Sequence, residues 1–166
     1  ATDSSRVFDI AGGSSSNGAN VQTYTANGTF AQDFKFVYEG GYYRIVSAQS
    51  GKALDVDGGN LCPGTNVHQW NIGSNNANQL FSIVRNDDGS YTATNKATGL
   101  VLTVGSSNVF GDAPTDSGSQ SLAFTKVTSL LPEGFFTISN SASSSAVLDV
   151  AGGSAADGAN VQLYGS

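Results

Sequence analysis

One stretch of the 166-residue chain combines an acidic residue, amides and an aromatic ring at short intervals. Asp55 is followed by His68 and Trp70, and then by the pair Asn78-Gln79. A carboxylate accepts strong, charge-assisted hydrogen bonds from neighbouring hydroxyls, amides both donate and accept, and an aromatic ring packs against an apolar face. Together these residue types could bind a ligand that offers hydrogen-bonding groups to the carboxylate and amides and an apolar face to the ring.

The same residue types recur along the chain. Residues 7–24 read VFDIAGGSSSNGANVQTY and residues 147–164 read VLDVAGGSAADGANVQLY, identical at 12 of 18 positions, and residues 54–70 keep the same frame. The anchor positions are spaced by 46, 48 and 46 residues, and they hold Asp9, Asp55, Thr103 and Asp149. A period of about 47 residues predicts a fold built from internal repeats.

Two further units offer candidate binding residues. In the first unit these are Asp9, Gln22, Tyr24 and Gln32, with Ala31 at the place of Asn78. In the fourth they are Asp149, Gln162 and Tyr164, and the sequence stops before an Asn-Gln pair. A site in each unit is the hypothesis that follows.

Each period breaks into four short strand signals separated by turns. The second unit shows them at residues 42–46, 53–56, 66–70 and 79–84, with Gly-rich or Asn-rich turns between them. No long stretch has the 3.6-residue periodicity of a helix. Short strands with turn residues every 8–12 positions predict an all-β barrel or sandwich. Three or four units of this size favour a pseudo-symmetric barrel, because they are too few for a solenoid.

The motifs LDV, GG, NVHQW and NQLF resemble those of the ricin B-chain-like β-trefoil lectins, also called family 13 carbohydrate-binding modules. The family's Gln-x-aromatic element stands at Gln32-Asp33-Phe34 and Gln79-Leu80-Phe81, and Gln120-Ser121-Leu122 is a decayed copy. The resemblance implies a trefoil with six barrel strands and three capping hairpins. It also implies sugar binding, of galactose or related sugars, without catalysis, in a secreted or cell-surface protein that often carries an enzymatic domain as well.

The resemblance implies a role for each residue of the second unit. Asp55 would accept from sugar hydroxyls, Trp70 would be the stacking platform, Asn78 would add a hydrogen bond, and Gln79 would orient the carboxylate or the adjacent turn. Other readings stay open. The aspartates could instead cap backbone N–H groups of the next turn, the glutamines could hold turns beneath the barrel, and Trp70 could belong to the core.

The chain departs from the family pattern in three places. Thr103 replaces the aspartate of the third unit, where no copy of the NVQxY strand is recognisable, so we expect no site there. His68 stands where the first and fourth units have Gln22 and Gln162. The disulfides common in the family are absent, because Cys62 is the single cysteine. Four phenylalanines are predicted to be core residues, namely Phe34, Phe81, Phe124 and Phe136.

Composition excludes several partners. The net charge is −6 and the seven basic residues are scattered, which argues against nucleic acid and anionic lipid as partners. No apolar run approaches 18 residues, so no membrane insertion is expected. The sequence begins Ala-Thr-Asp, like a processed or excised chain, and the scarcity of oxidisable residues fits a location outside the cell.

Cofactors, metals and catalysis are not expected. The acidic segment Asp55-x-Asp57-Gly58 with Asn60 lacks the full ligand set of a calcium loop. No serine stands in a nucleophile-elbow context, and Cys62 is read as an incidental thiol. The minor alternative is that the chain is part of a glycoside hydrolase. The main alternative is a trefoil that has lost sugar binding and serves as a structural or protein-interaction domain.

The predicted organisation is one domain over residues 1–166, with units at about 1–39, 40–86, 87–132 and a partial unit 133–166. Six barrel strands can be counted, with Phe135 to Ser139 as the sixth. Four hairpins can be counted where a trefoil needs three, so the terminal hairpin is surplus. It could be exchanged between chains, begin a neighbouring domain, or extend the sheet, and we expect exchange.

Overall fold

A computed structural model describes residues 6–115, 117–127, 139–140, 143–157 and 159–165. The fold is all-β, as predicted, and its helical turns are all short 3-10 turns in the described residues. The strands are β1 Arg6–Ile10, β2 Val21–Thr25, β3 Phe34–Glu39, β4 Tyr42–Ser47, β5 Ala53–Val56, β6 Thr65–Trp70, β7 Phe81–Arg85, β8 Tyr91–Asn95, β9 Val101–Val104, β10 Val109–Asp112, β11 Ser139–Asn140, β12 Ser143–Val150 and β13 Val161–Gly165.

The chain divides into two compact units, residues 1–126 and 127–166. Within residues 1–126, three antiparallel hairpins, β1–β2, β5–β6 and β9–β10, repeat the same register. They pair Asp9 with Gln22, Asp55 with His68 and Thr103 with Phe110. Each anchor residue thus faces the third position of the NVQxY segment across its hairpin. Alternating side chains and Gly-rich turns fix this register locally.

The remaining strands of this unit form the barrel wall. β3 pairs with β4, β4 with β7, and β7 with β8. Leu122 continues the series, since Tyr91 and Leu122 exchange two backbone hydrogen bonds of 2.8 Å. The β4–β7 pairing closes the sheet into a barrel-like ring. This is the predicted trefoil arrangement.

The core is built from equivalent positions of the three repeats. Ile10 and Val21, Val56 and Val67, and Val109 are buried in one cluster, and Val104, the third equivalent of Ile10, packs against it. Strand alternation places every second side chain inward. Phe81 is fully buried and Phe34 packs against the cluster, as predicted.

The core prediction for Phe124 is wrong, because 41% of this side chain is exposed. Its ring stacks on Tyr91 at 4.7 Å and touches Phe36 at 4.8 Å, at an end of the wall that no other described strand of the unit covers. Phe136 lies outside the described residues.

The third repeat does contain a copy of the NVQxY strand, which corrects the sequence interpretation. The copy is Asn108-Val109-Phe110, in strand β10. Its asparagine accepts from Asn20 Nδ2 at 2.8 Å and donates to Asn66 Oδ1 at 3.0 Å. One asparagine from each hairpin therefore meets near the pseudo-threefold axis. The match is hard to see in the sequence because Phe110 stands where the first two repeats have the polar residues Gln22 and His68.

The compact unit of residues 127–166 contains a three-stranded sheet in the order β11, β12, β13. The β12–β13 hairpin pairs Asp149 with Gln162, in the register of the other hairpins. A fourth hairpin is thus present. Residues 135–138, which include most of the predicted sixth barrel strand, lie outside the described residues. The single-domain organisation stays a prediction. In the described parts of the chain, no helix is long and apolar enough to cross a membrane.

Candidate functional site

The second repeat gathers the predicted residues around one carboxylate. Strand β5 carries Asp55, which is only 5% exposed. The strand is followed by the 3-10 turn Asp57–Gly59, in which Gly58 and Gly59 have positive φ angles of 60° and 62°. Oδ2 of Asp55 accepts from Gln79 Nε2 at 2.8 Å and from Asn76 Nδ2 at 3.2 Å. No hydrogen bond from the described residues reaches Oδ1. One carboxylate oxygen is therefore anchored, and the other has no hydrogen-bond partner among the described residues.

Gln79 anchors the carboxylate and cannot serve as a ligand contact. Its side chain is fully buried, and its Nε2 also donates to Asn71 O at 2.9 Å. Its Oε1 accepts from Gly73 N at 3.1 Å and from Arg44 Nη1 at 2.6 Å. All of its hydrogen-bonding capacity is used within the protein. Of the roles considered for it, orientation of Asp55 and its turn is the one that the geometry supports.

A buried arginine stands behind Gln79, and the sequence interpretation missed it. Arg44, on β4, is 3% exposed and donates from Nη2 to Glu39 Oε2 at 2.7 Å. A continuous chain of hydrogen bonds thus runs from Glu39 through Arg44 and Gln79 to Asp55. Hydrogen bonds that involve a charged group are stronger than neutral ones, so Arg44 restrains the amide that holds the carboxylate. The other described repeats give no signal for it, because Thr92 stands at the equivalent place.

An open aromatic surface lies beside the carboxylate. Trp70 ends strand β6 and is 44% exposed, so it is not a core residue. His68 lies next to it, with 5.4 Å between the two ring centroids. His68 Nε2 is 4.0 Å from Asp55 Oδ1, and its Nδ1 is 3.8 Å from Asp57 Oδ1. Both distances exceed hydrogen-bond range, so the imidazole borders the free oxygen without occupying it.

Two asparagines supply amides to this site. Asn78 is half-buried, and its side-chain amide has no hydrogen-bond partner among the described residues. Asn76, which the sequence interpretation did not single out, donates to Asp55 and accepts from Asn78 N at 3.1 Å. The available signal was its place at the start of the 3-10 turn Ala77–Gln79, where Asn is a favoured cap.

The first repeat has the same arrangement, but both oxygens of its carboxylate accept hydrogen bonds. Oδ1 of Asp9 accepts from Gln22 Nε2 at 2.9 Å and Oδ2 accepts from Gln32 Nε2 at 3.0 Å. Gln32 also donates to Thr25 O, just as Gln79 donates to Asn71 O. Tyr24 is 51% exposed, but Ala31 is buried and supplies no amide. The site is present here in reduced form.

The third repeat keeps the scaffold and loses the ligand groups. Thr103 Oγ1 donates to Val101 O at 3.0 Å and accepts from Gln120 Nε2 at the same distance. Phe110 faces it across the hairpin, and Asp112 stands at the place of Trp70. The repeat thus offers neither the carboxylate nor the aromatic platform.

A polar concavity of about 230 Å³ also lies in this repeat, lined by residues that include Asn86, Asp88 and Gln120. The amides of Asn86 and Gln120 are already bonded within the protein. The Ser90 hydroxyl and N–H donate to Asp88 and lower the pKa of its carboxyl below its usual value. The concavity therefore presents few free donors or acceptors.

In the fourth repeat the backbone of Asp149 pairs with that of Gln162. The side chains of Asp149 and Tyr164 lie outside the described residues. Across the described part of the chain, no three His, Cys, Asp or Glu side chains come close enough to hold a metal ion. Cys62 is exposed and unpaired within that same part.

Comparison with known families agrees with this geometry. A family model described as "Ricin-type beta-trefoil lectin domain-like" matches residues 1–70, 31–117 and 77–164. The chain belongs to this family. The three overlapping matches follow the repeats, and they extend over the third repeat although its ligand groups are lost. Membership of the family therefore follows the scaffold and does not show which repeats bind.

Solved structures of similar proteins share the ricin-type trefoil. The designed three-fold symmetric protein ThreeFoil is 32% identical, with a TM-score of 0.67 over 70% of this chain and 87% of its own. An exo-beta-1,3-galactanase from Clostridium thermocellum is 25% identical, with a TM-score of 0.65 over 72% of this chain and 30% of its own.

A lectin from Polyporus squamosus, solved with the epitope Neu5Aca2-6Galb1-4GlcNAc, is 21% identical, with a TM-score of 0.60 over 71% of this chain and 43% of its own. At this identity the likeness shows the fold alone. No curated protein sequence matches the chain.

Proposed function

We propose that this ricin-type trefoil is a non-catalytic carbohydrate-binding module and that its second repeat is the principal site. The observation that carries the proposal is the asymmetry of Asp55. One oxygen is fixed by Gln79 and Asn76, and the other has no hydrogen bond from the described residues and lies 4.0 Å from His68, whose ring neighbours the exposed ring of Trp70. A free charged acceptor, a flat apolar surface and an amide are the groups that bind a pyranose with a defined orientation.

Galactose or a related sugar is the ligand class that we propose. One neighbour supports it by name, since it is an exo-beta-1,3-galactanase. The chain spans less than a third of the galactanase. We therefore also propose that the module works outside the cell, within a longer protein or beside an enzymatic domain, and does not itself catalyse hydrolysis.

Titration with galactose and lactose tests the proposal. Asp55→Ala removes the free acceptor and Trp70→Ala removes the platform. Loss of a hydrogen bond to a charged group costs about 1.5–3 kcal/mol, so Asp55→Ala should bind roughly 10- to 150-fold more weakly, and Trp70→Ala should also bind more weakly because the apolar contact is lost. The matched variants Asp9→Ala and Tyr24→Ala alter the first repeat and should change total affinity much less.

Circular dichroism and thermal melting must show that all four variants fold. Folded Asp55→Ala and Trp70→Ala variants that bind as the wild type does would refute the assignment of the second repeat. If the wild type binds no sugar on a glycan array, the second candidate function, a structural or protein-interaction trefoil, becomes the better one. The loss of ligand groups in the third repeat favours that candidate, because it shows that this fold persists without a site.

A further inference from the structure

Strand β6, which carries the aromatic surface of the candidate site, has a neighbour along each of its edges. Along one edge it pairs with β5, which sets Asp55 opposite His68. Along the other edge it meets a loop of the first repeat, where Gly18 N donates to Gln69 O at 2.8 Å and Gln69 N donates to Ala19 O at 2.9 Å. Neighbouring strands lie about 4.8 Å apart, so Asp55 and this loop are separated by about 10 Å with β6 between them. The candidate site therefore has a second border, and this border belongs to another repeat.

The loop, residues 14–18, lies directly beside the exposed tryptophan. A Cβ at Gly18 would lie 3.7 Å from Trp70 Cζ3, at the benzo end of the indole. Asn17 is exposed, and its Oδ1 accepts from Asn71 N at 3.0 Å. Because a backbone N–H can only donate, the oxygen of the Asn17 amide faces Asn71 and the nitrogen faces away. Nδ2 of Asn17 has no hydrogen-bond partner among the described residues, so it is a free donor next to the ring.

One buried side chain holds this loop in place. Gln69 is fully buried, and its Nε2 donates to Ser14 O at 2.7 Å and to Ser16 O at 2.9 Å. Its Oε1 accepts from Ser50 Oγ at 2.7 Å. The loop is thus ordered by the protein itself, and a preorganised loop loses little conformational entropy when a ligand binds to it.

Neither of the other two junctions between hairpins within residues 6–126 combines these features. Where the second repeat meets the third, Gly111 stands at the place of Gln69 and has no side chain, and Asp112 replaces the tryptophan. Where the third repeat meets the first, the corresponding residue is Thr23, and the loop that meets it is shortened to residues 105–108. A long, fixed loop and an exposed tryptophan therefore occur together only beside the second repeat's site.

We propose that this site binds at least two linked sugar units, the first between Asp55 and Trp70 and the second over residues 14–18, where Asn17 Nδ2 donates to one of its hydroxyls. This inference rests on the proposed function. A single pyranose is too short to reach both Asp55 and the loop across β6, whereas two linked units are long enough. Amide N–H groups donate well to sugar hydroxyls, and the indole provides a continuous apolar surface between the two polar borders. Asn17 is then the residue that makes the site favour a longer glycan.

The test compares one sugar unit with two at this platform. Trp70 is the single tryptophan of the chain, so its fluorescence reports on this site during titration with galactose, lactose and β-1,3-linked galactobiose. We expect the better of the two disaccharides to bind about 2- to 10-fold more tightly than galactose, which is the gain from one further hydrogen bond. Asn17→Ala should remove most of this gain and leave galactose affinity unchanged. Ser15→Ala is the matched control, because Ser15 is exposed in the same loop and its hydroxyl has no hydrogen-bond partner among the described residues. It should bind every sugar as the wild type does.

The outcomes separate this inference from the proposed function. If galactose binds but neither disaccharide binds more tightly, or if the gain survives in Asn17→Ala, the second unit does not contact the loop and the proposed function still stands. An Asn17→Ala variant that weakens galactose and the disaccharides equally also overturns the inference, because the loop would then act on the first sugar unit. Absence of binding by all three sugars would contradict the proposed function, and this inference with it.

Discussion

The two carboxylate oxygens of Asp55 have different roles in the candidate site. Oδ2 of Asp55 belongs to the protein, because Gln79 and Asn76 hold it, and Oδ1 faces the aromatic surface. In the first repeat Gln22 takes the corresponding oxygen of Asp9. Replacing this glutamine by His68 in the second repeat moves the side-chain nitrogen out of hydrogen-bond range. The two aspartates are equally buried, but this single residue difference leaves one oxygen of Asp55 without a hydrogen bond from the described residues, whereas both oxygens of Asp9 are bonded.

Arg44→Met tests the hydrogen-bond chain behind Asp55. The variant keeps the buried aliphatic bulk but removes the donor to Gln79 Oε1. A lost charged hydrogen bond in a buried place should lower the free energy of unfolding by about 1.5–3 kcal/mol, and sugar affinity should fall because Gln79 is less restrained. Arg85→Met, on the exposed end of β7, is the control. Urea unfolding and sugar titration measure both effects, and equal behaviour of the two variants would show that Arg44 does not position the site.

His68→Gln tests whether the unbonded oxygen of Asp55 takes part in sugar binding. In the first repeat the equivalent Gln22 donates to Asp9 Oδ1 at 2.9 Å, so a glutamine at position 68 should donate to Asp55 Oδ1 in the same way. Sugar affinity should therefore fall, and a titration that shows unchanged affinity in the folded variant would contradict the interpretation.

At the scale of elements, the hairpin and the turn that follows β5 place the side chains. The β5–β6 register sets Asp55 opposite His68, and the 3-10 turn Asp57–Gly59 brings the backbone close to Asn78. A Cβ at Gly59 would lie 2.6 Å from Asn78 Oδ1, whereas one at Gly58 would meet nothing within 4 Å. The second glycine of the Gly-Gly motif therefore serves the site as well as the turn.

This contrast allows a matched experiment. Gly58→Ala and Gly59→Ala impose the same left-handed backbone strain, because both φ values are near 60°, and each should cost about 1–2 kcal/mol of stability. Only Gly59→Ala also displaces the Asn78 amide, so it alone should weaken sugar binding beyond the change seen for Gly58→Ala. Thermal unfolding and titration at equal folded fraction separate the two effects. Similar affinities for both variants would exclude Asn78 as a ligand contact.

At the scale of the whole molecule, the three hairpins are joined at the pseudo-threefold axis. Asn108 bonds Asn20 and Asn66, which lie 88 and 42 residues away. The loop of the first repeat also reaches the second hairpin, where Gly18 N donates to Gln69 O at 2.8 Å. The candidate site of the second repeat is thus held in part by the first, and the repeats depend on one another.

Asn108→Ala should destabilise the trefoil although the residue is not part of a binding site. It removes two hydrogen bonds between hairpins, which should lower the free energy of unfolding by about 1–3 kcal/mol. Asn60 lies in an exposed turn, where its side chain accepts a hydrogen bond from Cys62 N. Asn60→Ala should therefore change the free energy of unfolding by less than about 0.5 kcal/mol. Sugar affinity of folded Asn108→Ala should stay close to that of the wild type. A stability change no larger than that of Asn60→Ala would show that the hydrogen bonds of Asn108 at the pseudo-threefold axis do not stabilise the trefoil.

The period and most strand positions could be predicted from the sequence, because side-chain alternation and glycine turns act over a few residues, whereas strand β10 of the third repeat was not recognised. Asp55, Trp70 and Asn78 could be named for the same reason. Only the tertiary structure decided which oxygen of Asp55 is free, since Gln79 and Asn76 reach it from the turn before β7, and Arg44 on β4 holds Gln79. It likewise exposed Phe124 and placed Asn108 at the axis. Partners that are far apart in the chain leave no periodic trace, because their contact depends on how the repeats pack together.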